Sequence, residues 1–441
     1  MQGRDADLVV VGGGLAGLAA ALYAARAGLD VVVLEKASAP GGRARTRVQE
    51  RFHLNLGPHA LYAGGAAAQV LAELGIPAEG GRPSVAGGYA MLGGALHTLP
   101  TGGLSLLTTG LLDLPSKLHL GRFLSRLPGL DTSPWHSASV EQWLARERFP
   151  ERAAGLLRAL VRLSTYAADS ERQSAGAALD QLKLAADGGV RYLHRGWGCL
   201  VDGLRAALNA AGGELRAGVR AQGLASRGGR WAVQAAGIEL TADAVVLAVA
   251  PAEAAALLPE SKALRRWVES ARPVRASCLD LGLRSLPWPG RRFGLGIDRP
   301  HYFSLHSAVA ELAPPGAALV HAACYLGCDD AGDDAGDDAG SEAALEASVE
   351  RLQPGFRELV AARRYLGRLT VCNALVIAEG GGLAGRPGAD ASGEPGVLLA
   401  GDWVGDRGML ADASLASARE AARRAVERCR TMAAPGPAAA L

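Results

Sequence analysis

The chain has 441 residues, with 46 Lys and Arg against 44 Asp and Glu and a formal net charge of +2. Acids and bases are interspersed, so no basic stripe points to nucleic acid as a partner. At this length two domains and a large apolar core are expected.

Taken from the N-terminus, residues 7–11 predict a strand, and Gly12-Gly13-Gly14-Leu15-Ala16-Gly17 predicts a glycine turn. An Ala/Leu-rich helix follows from near Leu15, and Val31-Val32-Val33-Leu34 predicts a second strand closed by Glu35 and Lys36. Strand, glycine turn, helix, strand and acid is the layout that binds the ADP half of a dinucleotide. Gly12 permits the tight turn, Gly14 lets the backbone approach a pyrophosphate, and Gly17 lets helix and strand pack closely. The helix N-terminus then faces the phosphates with its free amides. Glu35 lies 23 residues after Gly12, where its carboxylate can accept from ribose hydroxyls and would repel a 2′-phosphate. A competing reading takes the uncharged run 8–25 as a membrane span or signal segment. Its four glycines in loop spacing and the acidic residues before it oppose that.

Next come Pro40-Gly41-Gly42-Arg43-Ala44-Arg45-Thr46 and Phe52-His53-Leu54-Asn55-Leu56-Gly57-Pro58-His59. Near the other end, Gly396-Val397-Leu398-Leu399-Ala400-Gly401-Asp402-Trp403 reads as a short buried strand ending in an acid. After a glycine loop, Met409-Leu410-Ala411-Asp412 opens a helix predicted to run through Ala425. On these segments the chain resembles the flavin amine oxidase/phytoene desaturase superfamily. The resemblance implies an α/β fold: a Rossmann-like FAD-binding domain with an inserted α+β substrate domain. It implies FAD as cofactor, with Gly41, Gly42 and Arg43 at the pyrophosphate and Gly57, Pro58 and His59 close to the ring. It also places Gly401 and Asp402 at the ribityl or phosphate region, and Met409, Leu410 and Ala411 at the pyrimidine edge. A helix N-terminus there suits the negative charge that reduced flavin gathers near N1 and the C2 carbonyl. Ser417-Ala418 departs from the small-Gly pair usual in the family.

Between these anchors, Gly218-Val219-Arg220 resembles the strand whose valine backbone meets the adenine, and residues 243–251 read as a buried parallel strand. Arg195-Gly196-Trp197-Gly198, followed by a helix over 200–211, resembles another family hallmark. The FAD-binding domain is thus expected from 1–83, 195–264 and 380–430, and the substrate domain from 84–194 and 265–379. The Asp-Asp-Ala-Gly repeat within 329–340 is expected to be a flexible acidic loop, since it lacks EF-hand alternation. The Pro/Ala-rich tail 431–441 is expected to be disordered. Six cysteines are scattered at 199, 278, 324, 328, 372 and 429 without a second close pair, so no metal site is expected and buried reduced thiols in a cytoplasmic protein are. Four lysines against 42 arginines suggest a GC-rich bacterial source.

The segment 93–130 carries ten leucines between 104 and 127, punctuated by Pro100 and Pro115. It reads as an amphipathic lid that lines an apolar route or touches lipid, or as an ordinary core-facing helix pair. Asp113, Lys117 and Arg122 bar it from spanning a bilayer. Flavin amine oxidases place a lysine in a substrate-domain strand; the matching strand, Arg275-Ala276-Ser277-Cys278-Leu279-Asp280-Leu281, has none, and no lysine follows Lys262. The leading expectation is therefore FAD-dependent desaturation of an apolar, isoprenoid- or carotenoid-like small molecule. Oxidation of an amine or amino-acid-derived metabolite is the alternative, and a flavin isomerase or prenyl-binding escort protein stands third. His59, Trp403, Tyr302 and His306 are candidate pocket residues, each weighed against a core or surface position. The sequence names no electron acceptor.

Overall fold

The computed structural model of the chain describes residues 4–327 and 338–433. Two seven-stranded sheets carry the fold. In the first, β1 (Arg4–Val11) runs parallel between β2 (Val31–Glu35) and β13 (Ile238–Leu247). β10 (Glu214–Ala217) extends the sheet beyond β2. The outer edge of β13 is shared. Its first half pairs antiparallel with β12 (Arg230–Ala235), which pairs with β11 (Ala221–Arg227), while its last residues pair parallel with β19 (Val397–Leu399).

The parallel strands are continuous apolar runs because both faces are covered. The alanine-rich helices α1 (Leu15–Arg26), α8 (Gly198–Ala210) and α12 (Leu410–Ala433) close one face. Trp231, Trp403, Leu257 and Leu264, the last two from α9 (Pro251–Leu257) and α10 (Lys262–Ser270), close the other. The run 8–25 is therefore a strand bonded on both edges, a turn and a packed helix, and the membrane or signal reading is not realised. A Cβ on Gly17 would lie 1.8 Å from the Gly12 carbonyl oxygen, and one on Gly12, at φ +108, would lie 2.5 Å from the Ala248 oxygen. Only glycines let α1 begin so close to the strand ends. No helix among the described residues is long and apolar enough to cross a membrane.

The second sheet has the order β18 (Val360–Cys372), β14 (Val274–Leu283), β17 (Ala318–Leu326), β16 (His301–Leu305), β15 (Phe293–Gly296), β7 (Tyr89–Leu92) and β8 (Ala95–Thr98). Neighbours are antiparallel except β15 and β7. Period-2 alternation divides its faces. Leu279, Leu281 and Leu283 pack on α11 (Glu342–Leu352). Ala276 and Cys278 point the other way, to the cluster built by α5 (Val140–Arg146), α6 (Glu151–Thr165) and α7 (Ala175–Asp187). The remaining strands and α-helices among the described residues are a hairpin of β3 (Thr46–Gln49) and β4 (Phe52–Asn55), a ribbon of β5 (Leu61–Tyr62), β9 (Val190–Leu193) and β6 (Gly80–Gly81), and the helices α2 (Ala66–Glu73), α3 (Gly103–Thr108) and α4 (Leu114–Arg126).

Two sequence expectations change at their edges. Residues 328–337 of the acidic segment, Cys328 included, lie outside the described residues, but Asp338–Gly340 forms a 3-10 turn rather than loose loop. Its carbonyls are engaged: Tyr365 Oη donates to Gly340 O (2.8 Å) and His301 Nε2 meets Ala339 O (2.8 Å). The last helix runs past Ala425 to Ala433, taking in the first three residues of the expected tail; 434–441 lie outside the described residues.

One step beyond Cys278, the same face of β14 carries Asp280, fully buried. Its register neighbours bond to it from both sides: His321 Nδ1 on β17 at 2.5 Å, and the Arg364 guanidinium on β18. Ser304 on β16 continues the row. A buried charge held by two partners is costly to break from one side. Asp280→Ala is expected to lower stability by about 3–5 kcal/mol in urea unfolding. Arg423→Ala, which removes exposed pairs with Glu420 and Glu427, should leave it nearly unchanged.

Candidate cofactor and active site

A cavity of about 680 Å³ runs from the C-terminal ends of β1 and β2 to β14 and β18. Open α/β sheets bind their ligands outside the carboxyl ends of the strands, which is where it begins. There the Glu35 carboxylate is fixed by two amides, Gly13 N on Oε2 (2.7 Å) and Ala37 N on Oε1 (2.8 Å). Val219 N donates to the Glu35 carbonyl (2.9 Å), so Val219 lines the cavity from the turn after β10 rather than from a strand. Lys36 also lines it and pairs with Glu253.

Gly14 is the N-cap of α1 and brings no side chain to cap it. A Cβ there would project into open space, and one on Gly42 would meet nothing but the Gly14 Cα, at 3.6 Å. Bare glycine backbone beside an uncapped helix N-terminus is an anion cradle. Leu15, Ala16, Gly41 and Gly42 complete it.

Arg43 closes the cradle. Its Nη1 donates to Asp402 Oδ2 (2.6 Å) and to the Val371 carbonyl (2.7 Å). Asp402 also accepts from Asn373 N (3.0 Å) and Nδ2 (2.7 Å). Burial works to raise the Asp402 carboxyl, but the Arg43 guanidinium and Asn373 outweigh it and hold the group below its ordinary range. Asp402 thus holds the guanidinium in place as well as lining the cavity. Ser417, the departure noted in the sequence, exchanges hydrogen bonds with Gly401 N (2.9 Å) and O (3.0 Å), so it ties α12 to this loop.

The inner end is different in character. Leu56, Tyr62, Tyr166, Ala276, Cys278 and Leu369 line it. Tyr166 Oη donates to the Pro58 carbonyl (3.1 Å), fixing the turn that carries Pro58 and His59. The His59 ring stands edge-on to Trp197 (4.9 Å), and its Nδ1 meets the Gly57 carbonyl at 3.0 Å. Burial pushes its pKa down to about 4, so it is neutral at pH 7.

At the start of α12, Leu410 and Ala411 line the cavity together with Asp412. Asp412 is 2% exposed. Its Oδ1 accepts from Ala67 N (2.7 Å), capping α2, whose own N-cap is the side-chain-less Gly65. Its Oδ2 has no hydrogen-bond partner among the described residues, and burial pushes its pKa up to about 6. Trp197 Nε1 is a second buried wall atom without a partner.

Sixteen of the residues read from the sequence as cofactor contacts share this one wall: Gly12, Gly14, Leu15, Ala16, Glu35, Lys36, Gly41, Gly42, Arg43, Pro58, His59, Val219, Gly401, Asp402, Leu410 and Ala411. Gly17, Gly57 and Met409 do not reach it. Gly17 lies under the turn, Gly57 (φ +79) packs on Cys278, and Met409 is buried beside Ala177 and Val376. Three pocket candidates are corrected. Trp403 is core of the first sheet, its Nε1 bonded to the Val249 carbonyl (3.0 Å). Tyr302 and His306 lie buried behind the cavity, bonded to each other (3.1 Å), with His306 stacked on Tyr192 and edge-on to His321. Tyr62, Tyr166, Cys278, Asn373 and Asp412 were not among the sequence candidates. Cys278 could have been found from alternation along β14; the others are brought in by tertiary contacts that leave no local signal.

Fold and cavity together define a flavin oxidoreductase whose cavity has a glycine-rich cradle at one end and the second sheet at the other. The chain belongs to the flavin containing amine oxidoreductase family, whose sequence profile matches residues 15–426, and its cofactor is FAD. It is 27% identical to protoporphyrinogen oxidase of Bos taurus over 333 aligned positions, 65% of this chain and 69% of that protein. It is 58% identical to hydroxyneurosporene desaturase of Rhodobacter capsulatus over 41 residues, 9% of this chain and 8% of that one. An oxidoreductase from Methanosarcina mazei has the same fold, with TM-score 0.76 at 19% identity over 94% of this chain and 99% of the other.

Two wall residues make stability depend on pH with opposite signs. Asp412 binds more protons folded than unfolded between its ordinary value of 3.8 and about 6, so its contribution falls as pH rises through that window. His59 binds fewer protons folded between about 4 and 6.5, so its contribution rises with pH. Urea unfolding of the apoprotein should separate them. From pH 3.8 to about 6, the stability of Asp412→Asn relative to wild type should rise by about 3 kcal/mol and then level off. A difference that stays flat across the window would show that Asp412 titrates normally.

Proposed function

We propose that this chain is an FAD-dependent dehydrogenase that desaturates an apolar, isoprenoid- or carotenoid-like small molecule at the inner end of the cavity. The observation that carries this reading is the inner wall of Leu56, Tyr62, Tyr166, Ala276, Cys278 and Leu369, apolar or uncharged side chains with Asp412 as their carboxyl neighbour, and the cavity's lysine, Lys36, at the opposite end. A neutral hydrocarbon needs alignment and exclusion of water, which such a wall supplies. An amine substrate would meet no lysine there, and that disfavours amine oxidation.

In this reading Glu35 accepts from the ribose hydroxyls. The Gly14 backbone, the first turn of α1 and Arg43 hold the pyrophosphate, and Asp402 and Asn373 keep Arg43 aimed at it. The first turn of α12, with Leu410 and Ala411, meets the pyrimidine edge of the ring. Bound FAD supplies the hydride acceptor. The division of the chain into a cofactor unit (1–83, 195–264, 380–430) and a substrate unit (84–194, 265–379) belongs to the same proposal, and it follows the two sheets. A second reading, oxidation of protoporphyrinogen, is favoured by the length of the bovine match, which extends far beyond the cofactor motifs. The experiment is anaerobic mixing of the yellow holoprotein with phytoene-type polyene precursors in detergent, with protoporphyrinogen and with an amine panel. Bleaching by the polyene precursors alone is expected. Bleaching by protoporphyrinogen alone selects the second reading, and bleaching by amines alone overturns both.

The same reading gives the leucine-rich segment a role at a lipid surface. On α3 and α4, Leu104, Leu107, Leu114 and Leu118 are each at least 66% exposed. Lys117, Arg122 and Arg126 lie on α4, which holds no acidic residue. Exposed leucines beside basic residues fit an anionic bilayer. Wild type is expected to co-sediment with phosphatidylglycerol vesicles, and Leu104→Ser/Leu107→Ser to lose most of that binding. Equal sedimentation of the two proteins would remove the membrane role.

A further inference from the structure

Desaturation removes a hydride and a proton from the substrate, and the fate of the proton is written in the cavity wall. We propose that the Asp412 carboxyl takes up that proton, so that it titrates in step with reduction of the FAD bound beside it.

The geometry limits the alternatives. His59, the imidazole in the wall, meets the Gly57 carbonyl through Nδ1 and also bonds to the Arg43 backbone, and it stands among His321, His306 and Arg43, all of which disfavour a further positive charge. Asp412 is an acid at the inner end, buried and in the wall, with Oδ2 unpartnered. The groups that face it are the Ala67 amide from α2 and the Tyr62 ring from β5, whose Oη is spent on the Ser164 carbonyl (2.9 Å). The cationic partner nearest along the helix, Arg419, is bonded to Glu73 at the exposed far end of the α2–α12 contact. Asp412 therefore has no counter-charge of its own, and its protonation is poised by burial.

The inference rests on the dehydrogenase reading above, and its balance is simple. One substrate C–H bond breaks with both electrons leaving as hydride to the flavin. A neighbouring C–H bond breaks and its electron pair becomes the new double bond. The proton joins Oδ2, converting the carboxylate to a carboxylic acid while Oδ1 stays bonded to Ala67. The site gains one negative charge with the hydride and loses one at Asp412, so its net charge is unchanged. Without that step two negative charges would share one buried, cation-poor region, and like charges so placed do not both persist. The constraint is one of charge alone, so it holds for any reductant.

The test accordingly uses no substrate. Wild-type and Asp412→Asn holoproteins are reduced anaerobically with dithionite in weakly buffered solution well above pH 6, with a pH indicator present. Asparagine keeps an oxygen for the Ala67 amide. Wild type is expected to take up about one proton more per FAD reduced than the variant. Equal uptake overturns the proposal. Should the variant fail to retain FAD, reduced-minus-oxidised infrared difference spectra of the wild type decide the matter. A protonated-carboxyl band that appears on reduction and shifts in heavy water supports it, and the absence of such a band overturns it. Failure of every polyene substrate would leave this result untouched, so the two readings fall separately.

Discussion

The Arg43–Asp402 ion pair joins positions 359 residues apart, and the cavity takes its shape from it. Arg43 follows the glycine cradle, Asp402 follows β19, and the Val371 carbonyl that shares Arg43 ends β18 of the other sheet. One guanidinium therefore pins both sheets and both ends of the chain at the point where a diphosphate would lie. A charge this deeply placed persists when every lone pair around it is used, and Asn373 supplies the remaining donors. The pair is thus a structural joint and, in the proposed reading, a cofactor contact at once.

The charge distribution follows from that joint. Arginine, lysine and uncapped helix amides gather at the outer half, where anionic phosphates belong. Past Arg43 the wall becomes tyrosine, alanine, leucine and thiol with Asp412 among them, and four polar residues of the second sheet face one another. Asp280, His321, Arg364 and Ser304 lie in register across four adjacent strands. That row satisfies its own charges beneath the cavity floor without lending them to a substrate. One cavity is in this way rich in charge at one end, while at the other Asp412 is the carboxyl among tyrosine, alanine, leucine and thiol.

The cofactor half was legible in the sequence because its residues act through backbone. Gly12, Gly14 and Gly17 are dictated by turn geometry, and Glu35 by the length of one helix and one strand, so spacing alone carries them. The substrate half was not legible because its residues act through side chains whose neighbours are set by tertiary packing. Trp403 looked like a pocket aromatic, yet the turn after Gly401 buries its ring in the first sheet. Tyr302 and His306 share the face of the second sheet that looks toward the cavity, but Tyr192 and the polar row cover them. Asp412 looked like an ordinary acid in the first turn of a helix, complementary to the macrodipole. Only its contact with Ala67 shows that the side chain turns from its own helix to serve another.

That borrowed cap orders events during synthesis. α2 forms from residues 66–73, but the oxygen that satisfies its first turn is made 345 residues later. α1 is in the same position, since the helix covering Leu18 and Leu22 is the last one described. The strand–helix–strand unit is therefore made before α8 and α12, the helices that share its apolar cluster. The cavity, lined in part by Leu410 and Ala411, is complete only once α12 has packed.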